Sequence, residues 1–92
     1  MDKEIKQGNQ CFYIGDDESS AIAIIKYKVK SDDVIIANST YVDPSLRGQN
    51  VARELLDRLA DHARKEGWKI EPTCSYVVRA FERYDAYDDV KH

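Results

Sequence analysis

Between Val34 and Thr73 the apolar pattern changes period twice, and this constrains the fold more than any other feature of the chain. Val34 to Val42 is rich in β-branched residues (Val34, Ile35, Ile36, Thr40 and Val42), the composition of a strand. From Val51 to Glu66 the spacing becomes helical. Val51, Leu55, Leu59 and Ala63 recur at every fourth position with Ala52 and Leu56 alongside, and Arg53, Glu54, Asp57, Arg58, Asp61 and Lys65 cover the outer faces. Gly67 is suited to a left-handed helix end. Trp68 to Thr73 reads as a second strand, and Pro72 near its end points to an edge or a departure from pairing. A strand–helix–strand crossover joins parallel strands and is almost always right-handed. The C-terminal ends of both strands and the N-terminus of the helix then share one edge of the sheet, where ligands of open sheets bind.

The remaining segments extend this unit. Cys11 to Ile14 is a short strand ended by the turn composition Gly15-Asp16-Asp17. Ala21 to Val29 alternates: Ala21, Ala23, Ile25, Tyr27 and Val29 share one face, and Lys26 and Lys28 follow Ile22 and Ile24 on the other. This predicts an antiparallel strand whose second face is partly covered. Ser31-Asp32-Asp33 turns the chain, and Asp43-Pro44-Ser45 stops the next strand. Ser75 to Tyr84 reads as a short helix carrying Tyr76, Val77, Ala80, Phe81 and Tyr84, and the acidic tail from Asp85 is expected to fray. No repeat, low-complexity stretch or linker interrupts residues 1–92, which read as one mixed α+β domain with one small core.

Composition narrows the function classes. A net charge of −3 argues against a broad nucleic-acid footprint, although basic residues can still cluster locally. No run approaches the roughly 18 apolar residues of a membrane helix. The charged start Met1-Asp2-Lys3-Glu4-Ile5-Lys6 lacks a signal-peptide core, so a cytoplasmic location is expected. The 2 cysteines and 2 histidines match no zinc spacing, and no metal site is expected. A disulfide between Cys11 and Cys74 is disfavoured in a cytoplasmic chain. Asn38-Ser39-Thr40 matches a glycosylation acceptor, but it falls in a strand expected to be buried in a non-secreted protein.

The connection Arg47-Gly48-Gln49-Asn50-Val51-Ala52 lies where the first strand hands over to the helix. A Gly-containing turn exposes backbone N–H groups there, and the helix dipole adds partial positive charge. Phosphate is the natural guest, so a phosphorylated cofactor is expected at this edge.

The same stretch resembles the acyl-CoA pyrophosphate loop of the GNAT acetyltransferases, Arg/Gln-x-x-Gly-x-Gly/Ala. Arg47 stands at its first position, Ala52 at its last, and Asn50 where the family has Gly. Asn is the next best residue for a left-handed backbone. Ser39-Thr40-Tyr41-Val42-Asp43-Pro44 looks like the strand end before that loop. Pro72-Thr73-Cys74-Ser75-Tyr76 and the aromatic tail from Phe81 to Tyr87 look like the short YjdJ-type subfamily, which often has His where Ser39 stands. The resemblance covers almost the whole chain. It implies a mixed, mostly antiparallel sheet around a central parallel β–α–β unit, truncated relative to full-length members. It also implies acetyl-CoA or CoA as cofactor, with pantetheine pairing to the Tyr41–Val42 backbone between splayed strands. The backbone amides from Gly48 through Gln49, Asn50, Val51 and Ala52 to Arg53 would hold the pyrophosphate, flanked by the Arg47 and Arg53 side chains.

Three residues are catalytic candidates. Cys74 follows the second strand at the converging edge, near where the resemblance puts a thioester. It is a pocket-lining residue or an acetyl-accepting nucleophile, and the second role needs a thiolate-stabilising neighbour that the sequence does not name. Arg79 is the only nearby cation in sequence. Amine acetylation needs a base for the amine and an acid for the leaving thiolate. Glu71 is the base candidate, although strand alternation can turn it away, and Tyr76 is the acid candidate or a packing aromatic. His62 falls roughly 16 Å along the helix from the phosphate end and is expected to be solvated or at an interface. Cys11 is expected in the core. The leading function is an N-acetyltransferase acting on an unidentified amine. The alternatives are a non-catalytic acetyl-CoA-binding module and a protein-interaction domain on the same scaffold.

Overall fold

A computed structural model describes residues 4–92; the charged start at Met1–Lys3 lies outside the described residues. The strands are β1 (Lys6–Gly8), β2 (Cys11–Ile14), β3 (Ala23–Ser31), β4 (Val34–Val42) and β5 (Lys69–Pro72). The helices are α1 (Val51–Glu66) and α2 (Ser75–Arg83), and 3-10 turns lie at Glu18–Ser20, Pro44–Leu46 and Asp85–Tyr87. The sheet runs in the order β1-β2-β3-β4-β5, antiparallel from β1 to β4 and parallel between β4 and β5. This is the expected mixed α+β class. Among the described residues no helix is long and apolar enough to cross a membrane.

Helix α1 lies across one face of the sheet. Leu55, Leu56, Leu59, Ala60 and Ala63 on its inner side are fully buried, as are Ile25, Ile35 and Ile70 from the strands. The fourfold recurrence of apolar residues therefore marks the stripe that covers the sheet. Gly67 ends the helix at φ +76°, its N–H donating back into the last turn. Val77, Ala80 and Phe81 of α2 join the same core.

Several expectations are corrected. The strand read as Ala21 to Val29 begins at Ala23 and runs to Ser31, and Val29 is 56% exposed, because a second register irregularity beside it ends the simple alternation. The acidic tail does not fray. Tyr87 and Val90 are buried, Ile70 N–H donates to Val90 O at 2.6 Å, and His92 N–H donates to Ile70 O at 3.0 Å. The free edge of β5 offers backbone groups in need of partners, and the tail supplies them while its two apolar anchors enter the core. β1, which the sequence reading did not anticipate, pairs with β2 through the tight turn at Asn9–Gln10. His62 is wedged edge-on between Phe12 and Trp68, at ring separations of 5.6 and 5.2 Å. Cys11 is buried, but it shares the face of Lys26 and Ile24 rather than joining the cluster beneath α1.

A bulge in β4 matters most for the site. Lys26 pairs with Ser39 and Tyr27 with Ala37, so Asn38 has no partner across the ladder. The extra residue shifts the alternation, placing Thr40 and Val42 on the helix-covered face and Ser39 and Tyr41 on the open one. Asn38, expected to be buried, is exposed.

Candidate functional site

The two parallel strands part company. β4 and β5 pair only from Val34–Lys69 to Ala37–Pro72. Thr73 N–H and Cys74 N–H then both donate to Ala37 O at 3.1 Å, and the Thr73 hydroxyl donates to the same oxygen at 3.3 Å. These bonds turn the chain off the sheet into α2. β4 continues to Val42 paired with β3 alone. Its other edge, from Asn38 to Val42, has no strand beside it among the described residues and forms one wall of a wedge.

At the wide end of the wedge the Asp43 carboxylate accepts from Ser45 N–H at 2.9 Å and Leu46 N–H donates to Asp43 O at 2.9 Å. The connection then passes Gly48 at φ +83° and Asn50 at φ 59°, ψ 22°. Asn50 thus adopts the left-handed conformation anticipated from its place in the loop. Its carbonyl accepts from Glu54 N–H at 3.0 Å, starting α1. The N–H groups of Val51, Ala52 and Arg53 precede the first intrahelical bond and point out of the helix end.

A cleft of about 260 Å³ opens here. Val42, Arg47, Gly48, Asn50, Val51, Ala52 and Arg53, all cofactor candidates, line it, and Tyr76 stands on the opposite wall. Two further candidates point elsewhere. The Tyr41 side chain is 47% exposed on the other face of the sheet, and the Gln49 side-chain amide donates to Ser45 O at 3.4 Å.

Arg53 reaches across the cleft mouth. Its guanidinium carbon lies 3.7 Å above the centre of the Tyr84 ring, and its Nε donates to the Tyr87 hydroxyl at 3.3 Å. That hydroxyl in turn donates to Asp57 Oδ1 at 2.5 Å. Burial, and then the Asp57 carboxylate, push the Tyr87 phenol up to about 12. The sequence reading used the aromatic tail as part of a family likeness. Its link to Arg53 crosses 34 residues and leaves no local signal.

Cys74 occupies the N-cap position of α2 and lies against the core, half-buried. Its Sγ donates to Thr40 Oγ1 at 3.4 Å. Burial raises the thiol, but the Thr40 hydroxyl and the backbone amides of Val77, Tyr76 and Thr40 outweigh it, and the net shift is downward. A helix N-terminus and a hydroxyl are thiolate-stabilising neighbours. Sequence spacing pointed only to Arg79, which is exposed. Tyr76, two residues on, is pushed up by burial and stays protonated. Glu71 is engaged elsewhere: its carboxylate pairs with Lys30 at 2.7 Å, and the Lys30 hydrogen bond holds it below the usual carboxylate range. With Ile70 buried beneath α1, alternation puts Glu71 on the open face.

A helix N-terminus presenting N–H groups beside a parting pair of parallel strands defines an anion-binding architecture. Residues 11–90 match the family model of GCN5-related N-acetyl-transferase, and the chain belongs to that family. A GCN5-like putative N-acetyltransferase from Staphylococcus aureus, solved in solution, is 41% identical. The match covers 98% of this chain and 88% of that one, with a TM-score of 0.84. Rv2747 from Mycobacterium tuberculosis, crystallised in complex with CoA, is 19% identical over 66% of this chain and 39% of its own; its TM-score of 0.55 reflects likeness of fold. No curated protein matches the chain.

Proposed function

We propose that this chain binds acetyl-CoA in the wedge and transfers the acetyl group to an amine, as a member of the short YjdJ-type branch. One observation carries the reading. The N-terminus of α1, suited to a pyrophosphate, and Tyr76 in the first turn of α2 line the same cleft beside Val42 of β4, and the Cys74 thiol at the start of α2 hydrogen-bonds Thr40 of that strand. Gly48 to Arg53 would bind the phosphates, with Arg47 and Arg53 supplying planar forks. The pantetheine would pair with the free edge of β4 near Tyr41 and Val42 and run back toward Thr40. A backbone N–H of that strand would polarise the carbonyl.

Cys74 is assigned the acyl chemistry. Its thiolate attacks the carbonyl carbon, forming a carbon–sulfur bond as the bond to CoA breaks. CoA leaves as a thiol after taking a proton, for which Tyr76 is the donor. The amine then attacks the acetyl-cysteine, the nitrogen–carbon bond forms, Cys74 leaves as thiolate, and the proton lost by nitrogen restores the Tyr76 phenol. The neighbours of the Cys74 sulfur support this role over simple lining of the pocket. The ion pair of Glu71 with Lys30 supports a structural part for that carboxylate. It also favours a second reading, a non-catalytic acetyl-CoA-binding module, because it occupies the base candidate.

The test is a titration of acetyl-CoA into isotope-labelled protein, followed by thiol release with a panel of amines. Amide shifts should concentrate at Gly48 to Arg53 and at Thr40 to Val42. Shifts confined to residues 11–29 would sink the cofactor reading, and binding without thiol release would leave the binding module.

A further inference from the structure

The face of the sheet away from α1 carries a cavity of about 410 Å³, larger than the cofactor cleft. Ile24 and Cys11 form part of its lining, and Lys26, Lys28, Asn38 and Glu18 give it its polar character. Its place in the register connects it to the wedge. Lys26 pairs with Ser39 and Lys28 with Ile36, so the two lysines bracket the bulged Asn38 across the ladder. Asn38 is also the first residue of β4 beyond its last pairing with β5, Ala37–Pro72. The two ammonium groups thus stem from a strand about 4.8 Å from the point where the parallel strands begin to part.

The charge arrangement is specific. Lys30, further along the same strand, is neutralised by Glu71 at 2.7 Å. Lys26 and Lys28 have no ion-pair partner among the described residues. Among the described residues one carboxylate lines the cavity, that of Glu18, which accepts a hydrogen bond from Asn9 N–H and keeps its charge. In a chain of net charge −3, two lysines against one carboxylate thus give a net positive lining to a cavity of small-molecule size beside the apex of the wedge.

We propose that this cavity is the acceptor site and takes a small amine carrying an anionic group, a carboxylate or a phosphate. The anion sits on Lys26 and Lys28 on the open face, and the amine is delivered beside Asn38, through the gap between β4 and the chain leaving β5, to the acyl carbon on the other face. This inference rests on the transferase reading above. The nitrogen–carbon bond forms as the carbon–sulfur bond to Cys74 breaks, Cys74 leaves as thiolate, and the proton lost by nitrogen returns through solvent to Tyr76.

The test compares amines that share an aminoethyl group with and without an anion: β-alanine against propylamine, and phosphoethanolamine against ethanolamine, each with acetyl-CoA and thiol release as the readout. The anionic member of at least one pair should have kcat/KM about tenfold or more above its neutral partner, the scale of one charge-assisted contact. The pair that shows the preference identifies carboxylate or phosphate. Lys26→Gln with Lys28→Gln should abolish the preference and leave CoA affinity unchanged, both side chains being exposed. N-Acetyl-β-alanine and N-acetyl-phosphoethanolamine, added with CoA, give a readout without turnover: one of them should shift the resonances of Lys26, Lys28 and Asn38. Equal use of anionic and neutral amines, a preference that survives the double variant, or no shift at these three residues with either product overturns the proposal. Loss of acetyl-CoA binding in the native protein is a different failure and strikes the parent reading.

Discussion

The Cys74 thiol lies 3.4 Å from the Thr40 hydroxyl, so the first residue after the wedge turn and a residue of its opposite wall share one hydrogen bond. The contact bridges the gap that the parallel strands leave when they separate. It also joins the sulfur to the strand along which an acyl carrier would run, which makes Thr40 a positioning residue for Cys74.

Alkylation by iodoacetamide should therefore distinguish the two cysteines. Only the thiolate reacts, and Cys74 is held below the ordinary thiol value while burial, followed by Glu18, pushes Cys11 up. Cys74 should react first, with its rate rising at a lower pH than that of Cys11. Thr40→Val should move the Cys74 profile to higher pH, and saturating acetyl-CoA should slow its alkylation. Incubation with acetyl-CoA should add one acetyl mass to the intact protein, absent in Cys74→Ala. An unchanged alkylation rate with acetyl-CoA and no adduct would remove Cys74 from the site.

Asn50 tests the loop. At φ 59° it occupies backbone space that glycine enters freely and a β-branched residue resists. Asn50→Gly should keep or improve CoA affinity. Asn50→Val should lower stability by about 1–2 kcal/mol and weaken CoA binding. Calorimetric titration of the three proteins measures this, and equal affinities would mean that the left-handed turn does not matter for binding.

Tyr87 links the tail to the cofactor cleft. Tyr87→Phe removes the donor to Asp57 and the acceptor of Arg53, and should cost about 1–2 kcal/mol in urea unfolding. Released from this contact, Arg53 should bind phosphate less well, and CoA affinity should fall several-fold. The native phenol adds a pH signature. Its folded value of about 12 lies above the ordinary 10.0, so the stability it confers is fully present below pH 10 and is lost as pH rises through 12. Alkaline unfolding that is identical in native protein and Tyr87→Phe would refute the linkage.

Glu71→Gln separates structure from chemistry. If its carboxylate serves only the Lys30 pair, thiol release with acetyl-CoA and an accepted amine should stay within about twofold of native, the scale of a surface contact. A loss of a hundredfold or more, the scale of general-base catalysis, would restore Glu71 as the base.

The sequence by itself was enough for the parts of the fold that rest on short-range chemistry. The fourfold recurrence from Val51 to Ala63 specified α1 and its buried stripe, and the change of period around it specified the crossover. Asn50 before the helix carried its own backbone preference, so the loop conformation was readable one residue at a time. Tertiary structure alone decided what depends on a partner distant in sequence. The tail docks because β5 has an edge to satisfy, not because Asp85 to Lys91 has a propensity of its own. The bulge at Asn38 exists only in the register with β3, yet it determines which β4 side chains face the helices. The downward shift of the Cys74 thiol required Thr40, 34 residues earlier, and the amides of a helix whose orientation spacing does not reveal. Periodicity and backbone preference are local and are written along the chain, whereas edges, registers and the environments of titrating groups arise only when separated segments meet.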